Sequence, residues 1–149
     1  MNYWLFKCNE EMYRVRDRME DPEHVITWPV TRYKEEIKAE DIVFLWVTGK
    51  DRGICGAFRV DQTPSEMVEI PKEQKFWTLK KHWNKKVSRV IGTIIHRVSP
   101  SFEGKMMKPE YLKGFPMLED LPVFHGYQNH LNFKVSPKHG RKILNLFCQ

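Results

Sequence analysis

The 149-residue chain is 41% hydrophobic and 30% charged, a balance that excludes a disordered chain, and its apolar runs fall well short of the roughly 20 residues a bilayer crossing needs. No membrane partner is expected, and the chain's 25 Lys and Arg against 19 Asp and Glu give a formal net charge of +6, which favours a polyanionic partner and says little about fold. The length suits one domain, residues 1–149, with a core of its own. No basic segment followed by an apolar stretch opens the chain, so a cytoplasmic monomer is expected.

Cys8, Cys55 and Cys148 are odd in number and far apart, which suggests buried thiols and neither a disulfide framework nor a zinc knuckle. His125 and His130 stand five apart, off the spacing that puts two ligands on one helical face. No metal and no cofactor is expected.

In chain order, YWLFKC at residues 3–8 reads as an opening strand that ends at Asn9. Residues 10–24 are highly charged and predict a surface segment with a short helix. Pro29 forces Trp28 into an extended conformation, and Thr31 is a plausible N-cap for a helix over residues 32–38, with Tyr33 and Ile37 as an i, i+4 pair. Trp28 in that strand-to-helix connection is either a core plug or one wall of a pocket. Residues 43–60 hold two apolar runs around Gly49-Lys50-Asp51-Arg52-Gly53, the pattern of a β-hairpin buried on both faces and the expected centre of the fold. Gly56 either makes room for a neighbouring aromatic or lets a ligand approach.

Residues 61–73 carry Pro64 and Pro71 among polar residues and predict a connecting loop. Residues 72–89 then concentrate lysines around Phe76, Trp77, His82 and Trp83. Cations for phosphates and flat rings for bases serve single-stranded nucleic acid, and a solvated loop with its aromatics turned inward fits as well. A long strand follows over residues 87–98, with Gly92 as a possible bulge. Residues 99–122 predict loop with one helical turn at 109–112, residues 131–135 an alternating strand. Ser136-Pro137 opens a C-terminal helix whose Gly140, Ile143, Leu144 and Phe147 share one face. Together these elements predict an α+β domain with a curled sheet or small barrel.

There is no GxSxG, P-loop, GxGxxG or HExxH, so no catalytic constellation is evident. Asn9, Thr48, Lys7 and the tryptophans suit recognition: an amide both donates to and accepts from a base edge while an indole stacks on its ring.

The order of YWLFKCN (3–9), TWPVTRYKEEIK (27–38), DIVFLWVTG (41–49), GICGAFRV (53–60), VIGTIIHRV (90–98) and SPKHGRKILNLF (136–147) resembles the EVE domain, a branch of the PUA-like superfamily. The same segments are more distantly similar to the YTH domain, a reader of N6-methyladenine in RNA. The resemblance implies a PUA-like pseudobarrel of mixed strands with short peripheral helices, and a reader of a modified cytosine or methyladenine turned out of RNA or DNA into an aromatic pocket. It assigns Trp28 as a cage tryptophan and Asn9 as the reader of the base edge, with Lys7 and Cys8 beside it and Thr48 at the same end of the sheet. Trp77, or Trp83, becomes the second cage wall. Lys50, Arg52, Lys80, Lys81, Lys85 and Lys86 are the phosphate candidates. Pro29 stands where the YTH pattern has a serine or threonine, so N6-methyladenine specificity is not carried over. Two other readings remain: a small enzyme on a modified nucleoside using Lys7, Glu10 and Thr48, and a basic domain that contacts an acidic protein.

Overall fold

The computed structural model describes residues 1–124 and 131–148; His125 and His130 lie outside them. Among the described residues, six strands form one mixed sheet in the order β2-β5-β4-β3-β1-β6, from β1 (Tyr3–Cys8), β2 (Val25–Pro29), β3 (Ile42–Val47), β4 (Gly53–Met67), β5 (Val87–Arg97) and β6 (Asn132–Val135). The helices are α1 (Val15–Glu20), α2 (Pro71–Gln74), α3 (Pro109–Lys113) and α4 (Pro137–Phe147). Among the described residues, no helix is long and apolar enough to cross a membrane, and no group of three or more His, Cys, Asp or Glu could hold a metal ion.

The expected hairpin is the middle of the sheet. Every residue of β3 is buried, as is β4 from Gly53 to Phe58. Gly49 turns the chain at φ +103, in the left-handed region that favours glycine. Gly56 makes room for neither an aromatic nor a ligand: a Cβ there would lie 2.6 Å from Met19 Sδ of α1. β1 pairs parallel to β3 and antiparallel to β6.

Strand pleating sorts the core into two layers. Trp4, Phe6 and Cys8 of β1 and Val43, Leu45 and Val47 of β3 face an inner cluster with Met19, Trp28, Phe58 and Val90. Tyr3 and Leu5, with Ile42, Phe44 and Trp46, face an outer cluster closed by Leu112 of α3, Leu118, Leu121, and Ile143 and Leu146 of α4. Ser136 caps α4 as expected, its Oγ accepting from His139 N.

Two further expectations change. Residues 32–38 form turns, not a helix: Tyr33 sits at φ 61, a left-handed conformation that breaks a helix, and its ring packs 5.2 Å from Trp4. Trp28 accordingly belongs to strand β2 itself. Residues 61–67, expected as loop, extend β4 along β5, with register shifts at Ala57/Phe58, Val60/Gln62 and Gln62/Ser65. Such bulges bend a strand and increase its twist, which curls a sheet. The sheet stays open as a ladder, but Asn132 of edge strand β6 reaches the end of edge strand β2: its Oδ1 accepts from Thr31 N at 3.1 Å, Thr31 Oγ1 at 3.1 Å and Arg32 N at 3.2 Å.

Candidate nucleic-acid interface

The pleat decides which of the singled-out residues meet. Lys7 pairs with Trp46 in the β1–β3 ladder, and both stand at the ends of the runs that face the outer layer. There a cavity of about 810 Å3 opens, lined among others by Lys7, Asn9, Trp46, Thr48 and Arg52. Thr48 closes the ends of the two strands: its N–H and hydroxyl both donate to Cys8 O, at 2.9 and 3.2 Å. Asn9 turns the chain out of β1. Its carbonyl accepts from Met12 N at 2.9 Å and Tyr13 N at 3.1 Å, and its Oδ1 accepts from Glu11 N at 2.9 Å. The side-chain oxygen is thereby committed to the turn, which leaves the amide NH2 as the end suited to a ligand acceptor.

The opposite wall comes from the region with least periodicity. Phe124 stands edge-on to Trp46, 5.9 Å between centroids at 73°. Lys113 Nζ lies 4.9 Å from the Phe124 centroid, and Glu110, on the same helix α3, is the acid among the described residues of the cavity wall. Lys7 Nζ is 5.2 Å from the Phe133 ring, and burial holds its ammonium pKa below the ordinary lysine value. With Lys7, Arg52 and Lys113 against Glu110, the lining is net cationic among the described residues.

Cys8, Trp28 and Trp77 lie outside this cavity. Cys8 and Trp28 are in the inner layer, buried. Trp28 is 5% exposed, and Tyr13 fills the space beside it, its ring 5.2 Å from Trp28, 4.7 Å from Trp77 and 6.2 Å from Phe76. The phenol donates to Glu73 Oε2 at 2.5 Å, and Arg18 Nε donates to Glu73 Oε1 at 2.6 Å. Burial raises the pKa of both Glu73 and Tyr13. Trp77 is held separately: its Nε1 donates at 2.8 Å to Glu69 Oε2, which also accepts from Arg89 Nη1 at 3.3 Å. Trp83 is half-buried; its backbone N–H donates to Lys80 O and its carbonyl accepts from Glu69 N. Glu10 pairs with Arg16 and lines a different hollow from the cavity that Lys7 and Thr48 line.

Of the phosphate candidates, Lys50 and Arg52 are exposed at the hairpin tip, and Lys80, Lys81, Lys85 and Lys86 are exposed before β5. Sequence reasoning missed Trp46, Phe124, Lys113 and Glu110. Trp46 was within reach, because it stands two residues before Thr48 on the same pleat. No signal marked Phe124 or Lys113.

No curated protein matches the chain. Among solved structures, a hypothetical protein from Leishmania major superposes with a TM-score of 0.66 at 16% identity, over 98% of this chain and 94% of that one. Human THYN1, solved in complex with 5-methylcytosine containing DNA, gives 0.64 at 14% identity over 100% and 99%. The YTH domain of Zygosaccharomyces rouxii MRB1, solved in complex with N6-methyladenosine RNA, gives 0.52 at 14% identity over 97% and 86%. These likenesses establish the PUA-like fold. The family model of the EVE domain matches residues 2–146, and the chain belongs to the EVE domain family.

Proposed function

We propose that this protein is a nucleic-acid-binding module that accepts one base of RNA or DNA, turned out of its strand, in the cavity at the ends of β1 and β3, and that it prefers a modified cytosine or N6-methyladenine there. The observation that carries the reading is the gathering of Lys7, Asn9, Thr48 and Arg52 around one 810 Å3 cavity with Trp46 and Phe124 in its wall. The DNA and RNA complexes of THYN1 and the MRB1 YTH domain support it by analogy of fold.

The chemistry follows from the lining. Arg52 and Lys7 neutralise phosphate and contribute affinity without sequence information. The Asn9 amide donates to an acceptor on the base edge, which orients the ring against Phe124, with Trp46, 3% exposed, packed edge-on beside it. A methyl group that gains apolar contact is worth on the order of 1 kcal/mol, about ten-fold in affinity.

The test is equilibrium binding of matched oligonucleotides, unmodified or carrying 5-methylcytosine, 5-hydroxymethylcytosine or N6-methyladenine, as RNA and as DNA. One modified oligonucleotide should bind about ten-fold tighter than its unmodified match, and Asn9→Ala should remove that difference. Equal binding throughout, indifferent to Asn9→Ala, overturns the reading.

A further inference from the structure

We infer that the loop of residues 80–86 is a phosphate track for the strand that flanks the bound base, so that the partner is a single-stranded stretch of several nucleotides and not an isolated base. The inference rests on the cavity reading above.

The loop starts at the cavity's rim. Met12 lines the cavity, and Thr78 is fastened to it: Thr78 N donates to Met12 O at 2.9 Å, and Thr78 Oγ1 donates to Glu11 O at 2.7 Å and Met12 O at 3.2 Å. Lys80 and Lys81 follow Thr78 by two and three residues. At no more than ~3.6 Å per residue, their Cα atoms stand within about 7 and 11 Å of it. The flanking strand therefore meets these two ammonium groups soon after it leaves the cavity.

The track also has a fixed backbone. His82 N donates to Leu79 O, and Trp83 N and Asn84 N both donate to Lys80 O. Arg89 Nη2 then clamps His82 O at 3.1 Å, and Glu69 N clamps Trp83 O at 3.2 Å. The buried Arg89–Glu69 pair thus supports the loop from below. Its cations differ from the lysines before it: Lys72 pairs with Glu23 and Lys75 with Asp21, whereas Lys80, Lys81, Lys85 and Lys86 have no ion pair among the described residues. Four uncompensated charges on one loop repel each other and gain most from a polyanion. Nucleic acid is favoured over an acidic protein because flat rings stand among the cations, with His82 5.7 Å from Trp77 and Trp83 half-buried.

The test compares the free modified nucleoside with a single-stranded oligonucleotide carrying the same base, across a salt series. Both are titrated into the unaltered protein, a Lys80→Ala/Lys81→Ala variant and a control Lys138→Ala. The double variant should bind the oligonucleotide about ten-fold or more weakly at low salt and flatten the slope of log K against log salt by about 1.4, with nucleoside affinity unchanged. An oligonucleotide that binds with the unaltered affinity and slope overturns the track. So does binding of a polyglutamate peptide, and not the oligonucleotide, that depends on the lysine pair. A lysine-dependent oligonucleotide slope without any nucleoside binding supports the track and overturns the cavity reading alone.

Discussion

Tyr13 stands edge-on against Trp28, 5.2 Å between ring centroids at 85°, and its hydroxyl is bonded to Glu73 at 2.5 Å. The tyrosine occupies the space between the two tryptophans that the family resemblance cast as cage walls. With Tyr13 2% and Trp28 5% exposed, truncation removes a buried ring and leaves a cavity. Trp28→Ala and Tyr13→Ala should each cost about 3–5 kcal/mol in urea unfolding. Tyr13→Phe, which takes the donor from Glu73 Oε2 while Arg18 still pairs with Oε1, should cost about 1–3 kcal/mol.

The join between the sheet edges rests on one amide. Asn132 is 1% exposed, and its Oδ1 serves Thr31 N, Thr31 Oγ1 and Arg32 N. Asn132→Ala leaves those donors without their acceptor and should lower unfolding free energy by about 1–3 kcal/mol. Amide exchange at Thr31 and Arg32 should rise with it.

Gly140 sets two effects against each other. Alanine in a helix interior gains up to about 1 kcal/mol over glycine, yet a Cβ at Gly140 would lie 2.1 Å from Tyr3 Cγ. The clash dominates, because moving the Tyr3 ring disturbs its stack on Phe44 in the outer layer. Gly140→Ala should therefore destabilise the protein, by about 1–3 kcal/mol in thermal or chemical unfolding.

Burial pushes the Cys55 thiol up to about 12 and raises Cys8 well above the ordinary thiol value, through burial first and then the nearby Cys55 and Glu10 charges. A folded-state pKa raised above the unfolded value gives stability that is fully present below about pH 9 and is lost as pH rises toward 12. Aromatic disulfide reagents at pH 8 should label exposed Cys148 alone in the native protein, and Cys8 and Cys55 only after unfolding. Cys55→Ala should flatten the alkaline loss of stability.

Much of the fold was legible because its apolar patterns are periodic: β1, the β3–β4 hairpin, β5 and the capped α4 follow directly from alternation or from the i, i+3, i+4 stripe. The turns at residues 32–38 were not, since the sequence carries no mark of the left-handed Tyr33 or of the tie from Thr31 to Asn132. The outer half of β4 was hidden by Asp61, Pro64 and other polar residues, which a strand tolerates where it is exposed and bulged. In the site, Lys7, Asn9, Thr48 and Arg52 come together as a group. Cys8 parts from them because adjacent positions on a strand face opposite sides, and Trp28 because β2 lies at the far edge of the sheet with its ring in the inner layer, consequences the resemblance alone did not supply. Phe124 and Lys113 arrive from an aperiodic stretch that tertiary packing alone places.

The most direct test of where a base would lie uses the five tryptophans as reporters. Each indole N–H gives its own signal in a nitrogen-edited proton NMR spectrum, and substitution of each tryptophan by phenylalanine assigns it. On saturation with the tightest-binding modified oligonucleotide, the Trp46 signal should shift most while Trp28, under the Tyr13 ring, stays in place. Movement of Trp28 and Trp77 with Trp46 unchanged would contradict the account, since the base would then have displaced Tyr13 from the inner layer.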